Sequence, residues 1–161
     1  MLDAGDQAPD FSLPGTTAAH PDEVEEYTLS ATLTQHPVLV NFYVFDFHPA
    51  CRENLCELHD LSWFDLDADI SVYGISTDST YSHGEFARQE GFEYALLSDN
   101  DGSVAESYGV LADEQGGHRR TARRAVFVVD QDRTVQYAWV AESPAEQPEW
   151  EAIKRAVDAL K

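Results

Sequence analysis

The sequence predicts an α/β domain built on a central mixed β-sheet with helices on both faces. Three observations lead there: runs of β-branched and aromatic residues, apolar residues at helical spacing between them, and a closing pair of strands joined by a polar turn. Pro37-Val-Leu-Val-Asn-Phe-Tyr-Val-Phe45 reads as a buried central strand. Leu55, Leu58, Leu61 and Leu66 then predict a helix from Ala50 to about Leu66, with Pro49 at its first position, where a missing N–H costs no hydrogen bond. Ser71-Val-Tyr-Gly-Ile-Ser76 is a second strand, and Ser82 is the expected cap of a short helix running to Glu90 and ended by Gly91. Tyr94 to Leu97 reads as a brief strand, Asp99-Asn-Asp-Gly102 as a turn, and Ser103 to Tyr108 as a helical piece closed by Gly109. Arg124-Ala-Val-Phe-Val-Val129 and Thr134-Val-Gln-Tyr-Ala-Trp-Val140 are strands joined at Asp130 to Arg133, and a last helix is expected from about Glu146 to Leu160.

The order is therefore β-α-β-α, a short insertion, then β-β-α. Strands separated by helices must pair in parallel through right-handed crossovers, whereas the last two form an antiparallel hairpin. That combination is the thioredoxin-like arrangement. With 161 residues the chain is expected to be one domain, 1–161, with residues 1–36 a polar N-terminal extension.

Thirty acidic residues against ten basic ones leave a net charge of −20, and only Lys154 and Lys161 among the ten are lysines. The acids are scattered over every segment and form no tail. Their mutual repulsion opposes compaction in dilute buffer but is screened within roughly 3 Å at 1 M salt. Adaptation to a salty cytoplasm, as in halophiles, is the expectation. The same field argues against nucleic acid or an anionic membrane as partner. No apolar run has the length of a span, and Met1-Leu2-Asp3-Ala4-Gly5-Asp6 lacks the basic and apolar regions of a signal peptide, so a cytoplasmic location is expected.

Cys51 and Cys56 are the only cysteines. Two cysteines so close in a cytosolic chain argue for redox chemistry over a structural staple. Cys51 falls in the first turn of its helix, where free amides and the positive helix end favour a thiolate, the form that reacts with electrophiles. In an ideal helix residues five apart have Cα atoms about 8.6 Å from each other, whereas a disulfide needs roughly 4.4–6.8 Å. The two could bond only if the helix unwinds locally. Two readings of Cys56 stay open: a resolving cysteine, or a small buried hydrophobe of that helix.

From here the chain resembles the peroxiredoxins of the AhpC/TSA family, most closely the bacterioferritin-comigratory or peroxiredoxin Q branch. Gly5-Asp-Gln-Ala-Pro-Asp-Phe-Ser-Leu-Pro14 is similar to the family's opening segment. Asn41-Phe-Tyr-Val-Phe-Asp-Phe-His-Pro-Ala-Cys51 stands where the family carries Pro-x-x-x-Thr-x-x-Cys. Gly74-Ile-Ser-Thr-Asp-Ser79 with Ser82-His83, Leu96 to Gly102, Tyr108-Gly-Val110 and Arg124 to Asp130 are similar to later family segments in the right order. The resemblance implies a thiol-dependent peroxidase. Cys51 would attack a hydroperoxide and become a sulfenic acid, Arg124 would supply the cation, and Cys56 would condense with the sulfenic acid. A thioredoxin-like reductant would then open the disulfide. Monomeric and homodimeric relatives both exist, and no cofactor is implied. Two positions depart from the motif: Val44 replaces its proline and His48 its threonine. His48 can stand in for the lost hydroxyl by donating to an oxygen, or it can simply cap the helix or face solvent.

Other chemistries fit less well. His48, Cys51, Cys56 and His59 are zinc-ligand types, but one helix cannot easily wrap them round a tetrahedron, and no metal site is expected. Asp65-x-Asp67-x-Asp69 lacks the glycine a calcium loop needs next, and the Asp99 to Gly102 stretch has the wrong offset. A thiol–disulfide oxidoreductase or redox sensor without efficient peroxidase activity remains the rival. The basic run His118-Arg-Arg-Thr-Ala-Arg-Arg124 reads as local neutralisation of an acidic surface more readily than as a dock for an acidic reductant.

Overall fold

The computed structural model describes residues 2–64, 70–143 and 146–160. In chain order it contains β1 (Ser12–Thr16), β2 (Glu25–Thr28), α1 (Leu29–Leu33), β3 (Val38–Phe42), α2 (Pro49–Phe64), β4 (Ser71–Ser76) and α3 (Thr80–Glu90). There follow β5 (Ala95–Ser98), α4 (Ser103–Ser107), β6 (Leu111–Gln115), β7 (His118–Ala122), β8 (Ala125–Val129), β9 (Val135–Val140) and α5 (Trp150–Asp158).

Seven strands form one mixed sheet in the order β2-β1-β5-β4-β3-β8-β9. β3, β4 and β5 run parallel, and the remaining neighbours are antiparallel. This is the thioredoxin-like sheet that the element order predicts. The first 36 residues add β1, β2 and α1 to it, with β1 paired to β5.

β3 and β8 are buried along their whole length, which explains why both read as nearly continuous apolar runs. Alternate residues point to opposite faces. Val38, Val40 and Phe42 join Phe127, Tyr108, Leu29 and Leu33 in one core layer. Leu39 and Tyr43 join Val126, Val128, Leu55, Leu58, Phe86, Ile153 and Val157 in the other. α2, α3 and α5 thus cover one face, and α1 and α4 the other. Inside the second layer α2 is held from two sides. The Tyr94 hydroxyl donates to the Leu55 carbonyl at 2.8 Å, and Trp150 Nε1 donates to Glu57 Oε2 at 2.7 Å.

Several boundaries shift from the sequence expectation for identifiable reasons. The cap of α3 is Ser79, not Ser82: its extended backbone frees the hydroxyl to accept the Ser82 amide. The Ser82 hydroxyl donates elsewhere, to Asp46 Oδ2 at 2.8 Å. Gly91 ends α3 in the left-handed region, as expected. α5 starts at Trp150 instead of Glu146, because Pro148 disfavours helical geometry before it and Arg124 draws on the Glu146 carbonyl. Between α4 and β8, where the sequence reading assigns no element, lies a hairpin, β6–β7, turning at Gly116 and Gly117 with φ of 55° and 84°. Both angles suit a two-residue hairpin turn. Asp65, Asp67 and Asp69 lie outside the described residues. Asp99 is not a calcium ligand of a loop but a cap: its carboxylate accepts the Val104 and Ala105 amides at 3.1 and 2.8 Å.

Candidate active site

Pro49 and Ala50 open α2, so Cys51 lies in its first turn, and residues 43–48 connect that helix to the end of β3. The side chain is fully buried. Burial pushes the Cys51 thiol above its ordinary value. Hydrogen bonding by the backbone of Phe45 and Val44 and the positive charge of Arg124 pull the other way, and the Asp78 carboxylate adds to the upward push. The groups that favour the anion come from the loop before α2 and from Arg124, and desolvation outweighs them in this closed arrangement.

Arg124 precedes β8, the neighbour of β3, and is itself buried. One guanidinium nitrogen donates to the Glu146 carbonyl at 2.7 Å and the other terminal nitrogen to Gln147 Oε1 at 3.1 Å. These bonds fix the cation on the Cys51 side of the sheet. His48 is exposed, and its carbonyl accepts the Arg52 amide at 2.8 Å as the first turn of α2 begins. Its side chain and Arg124 both line a pocket of about 460 Å³, together with Val44, Phe45, Gln115, His118 and Arg123. The β6–β7 hairpin closes one wall, with His118 meeting the Phe45 ring edge-on at 4.6 Å.

Cys56 sits about one and a half turns beyond Cys51 in α2 and faces α3. Both thiols are free, and Cys56 is half-buried. Its Sγ donates to Glu90 Oε2 at 3.6 Å. Burial first, then the Glu90 carboxylate, push this thiol up to about 11.

The loop from Val44 to His48 is held from beneath by a buried polar network that sequence reasoning missed. His83 Nδ1 lies 2.8 Å from Asp46 Oδ2, and His83 Nε2 lies 2.9 Å from the Leu97 carbonyl. A carbonyl can only accept, so Nε2 carries a proton and Nδ1 faces the carboxylate. Tyr43 donates to Asp46 Oδ1 at 2.6 Å, and the Asp46 amide donates to Asp78 Oδ2 at 2.8 Å. Phe47, next in the loop, has φ of 67°, a strained value for a bulky residue.

Among the described residues, Asp46, Asp78 and His83 are the ligand-type group that comes together; the quartet His48, Cys51, Cys56 and His59 does not. Two ligands of one tetrahedral ion at about 2.0–2.1 Å would stand about 3.3 Å apart. The 2.8 Å between His83 Nδ1 and Asp46 Oδ2 is hydrogen-bond distance instead. The cluster is a proton-sharing brace.

Residues 4–138 match the AhpC/TSA family. The chain belongs to that family. Peroxiredoxin Bcp of Escherichia coli K12 is 33% identical over 140 residues, covering 86% of this chain and 85% of that one. In structure, peroxidoxin BcpB of Mycobacterium tuberculosis superposes with a TM-score of 0.83 at 30% identity, over 100% of this chain and 99% of that one. The reduced 2-Cys peroxiredoxin of Plasmodium vivax gives a TM-score of 0.85 at 25% identity, covering 99% and 82%. Peroxiredoxins are thiol-dependent peroxidases, and the sheet and cysteine-bearing helix of this AhpC/TSA chain belong to that class.

Proposed function

We propose that this AhpC/TSA-family protein reduces hydrogen peroxide or organic hydroperoxides through Cys51, with Cys56 as the resolving thiol. One observation carries the assignment of roles: Cys51 lies at the start of α2, where the Val44 and Phe45 backbone and the Arg124 cation all favour its anion. The thiolate attacks the distal peroxide oxygen, the O–O bond breaks, and sulfur is oxidised to sulfenic acid. The alkoxide or hydroxide that leaves takes a proton and departs as alcohol or water. Arg124 stabilises charge on sulfur and on the leaving oxygen and cannot lose its own proton. His48, on the pocket wall, donates to the departing oxygen in place of the motif's threonine. Cys56 then forms the disulfide with loss of water, and a thioredoxin-like reductant restores the dithiol.

Cys51 is fully buried and its thiol pushed up, which limits the thiolate available to the peroxide. The altered motif and the buried thiol favour, as second reading, a thiol–disulfide oxidoreductase or redox sensor of slow peroxide reactivity. Stopped-flow consumption of peroxide by the reduced protein separates them, and a rate no faster than that of a free thiol selects the second. A thiol count with a disulfide map, before and after one equivalent of peroxide, tests the roles. Wild-type protein gives Cys51–Cys56, and Cys56→Ser stops at sulfenic acid. Undiminished peroxide consumption by Cys51→Ser overturns the assignment. The excess of acidic residues, scattered along the chain, fits a salty cytoplasm. The protein works there as a monomer or homodimer, without cofactor, nucleic acid or membrane as partner.

A further inference from the structure

Glu90 ends α3 and reaches back to α2 with both oxygens. Oε2 accepts from Cys56 Sγ at 3.6 Å, while Oε1 lies 2.8 Å from Arg52 Nε. The Arg52 N–H points off the carboxylate, so that contact is an ion pair and not a hydrogen bond. We infer that Glu90 is the general base of the resolving step, taking the Cys56 proton as its sulfur attacks the Cys51 sulfenic acid. The inference rests on the Cys51 and Cys56 roles proposed above.

The chemistry balances without an outside reagent. The Cys56 sulfur forms the S–S bond, the S–O bond of Cys51 breaks, and the hydroxide that leaves collects the proton from Glu90 and departs as water. Cys51 sulfur is reduced and Cys56 sulfur oxidised, so no net electron is needed. A base is required because the thiol does not ionise by itself near neutral pH. The groups facing Cys56 are Glu90 from α3, Asp60 and Arg52 from α2, and Tyr94 ahead of β5. Their combined effect with burial holds the thiol at about 11. A preformed thiolate is therefore scarce, and proton removal must accompany attack.

The test is single-turnover disulfide formation after a peroxide pulse, acid-quenched and read by mass spectrometry. In the wild type the rate is nearly flat from about pH 6 to about pH 8. Attack by preformed thiolate would instead rise about tenfold per unit. Glu90→Gln gives the sharper sign. Removing the negative charge eases ionisation of Cys56, so a thiolate route speeds up, whereas loss of the base slows disulfide formation about 10²-fold. Glu90→Asp recovers part of the rate. An unchanged or faster Glu90→Gln, or a steep wild-type pH profile, overturns the inference and leaves the cysteine roles standing. Absence of any Cys51–Cys56 disulfide in the wild type overturns both. The wild-type profile decides the matter even if the variants do not fold.

Discussion

His83 Nδ1 stands 2.8 Å from Asp46 Oδ2 with both side chains essentially out of solvent. This pair fastens the loop leading into Cys51 to the start of α3, since Ser82 donates to the same Asp46 oxygen. A buried pair of this kind is costly to break from one side, because the partner left behind has nothing to share its charge or proton. His83→Leu or Asp46→Leu alone should cost about 3–5 kcal/mol in urea unfolding. The double variant should lose clearly less than the sum. Strict additivity would show that the two side chains do not act as a unit.

Arg124→Ala should slow peroxide consumption by the reduced protein about 10²-fold at neutral pH, the usual cost of removing one donor aimed at developing charge. Loss of the cation also moves the Cys51 thiol further up, so the variant's rate should climb with pH over a higher range than the wild type's. Iodoacetamide alkylation of Cys51 across pH measures this directly. An alkylation profile identical to the wild type's would remove Arg124 from any electrostatic role.

The raised Cys56 thiol has a consequence for stability. The unfolded chain releases this proton near the ordinary thiol value of 9.0, the folded chain only at about 11. Between those limits the native state binds more protons, so stability is fully present below the first and is lost as pH rises through the second. Urea midpoints measured from about pH 8 upward should fall, and Cys56→Ser should flatten the slope. A Cys56→Ser curve parallel to the wild type's would place the titration elsewhere.

Asn41 in β3 donates from Nδ2 to Asn54 Oδ1 in α2 at 3.1 Å, between two residues that are each 1% exposed. Asn41→Val leaves the Asn54 carbonyl buried without this donor, at a cost of about 1–3 kcal/mol. Asn41→Val combined with Asn54→Leu removes both ends and should restore most of that loss. Differential scanning calorimetry of the three proteins checks the ordering.

The interior strands were legible in the sequence because burial on both faces forces nearly continuous apolar runs at β3 and β8. β1 was hidden by Pro14 and Gly15, which ordinarily break strands, and β2 by its exposed acids Glu25 and Glu26 at the sheet edge. The β6–β7 hairpin carries too many polar side chains to show an apolar alternation, and Gly116-Gly117 was its one available signal. At the site, Cys51, Cys56, His48 and Arg124 announce themselves by side-chain chemistry. The backbone groups of Val44 and Phe45 carry no letter of their own. Glu90 and Asp46 were indistinguishable among thirty acidic residues until the fold set one beside a thiol and the other beneath a loop.

Among the described residues the hairpin at Gly116-Gly117 forms a two-stranded sheet of its own, outside the seven-stranded one, yet it furnishes Gln115 and His118 to the pocket. One wall of the pocket is thus built outside the main sheet, although Ala122 of the same hairpin is anchored in the core. Lengthening, shortening or recharging those few residues can re-tailor admission to the pocket while the thiol, its helix and its arginine stay where they are.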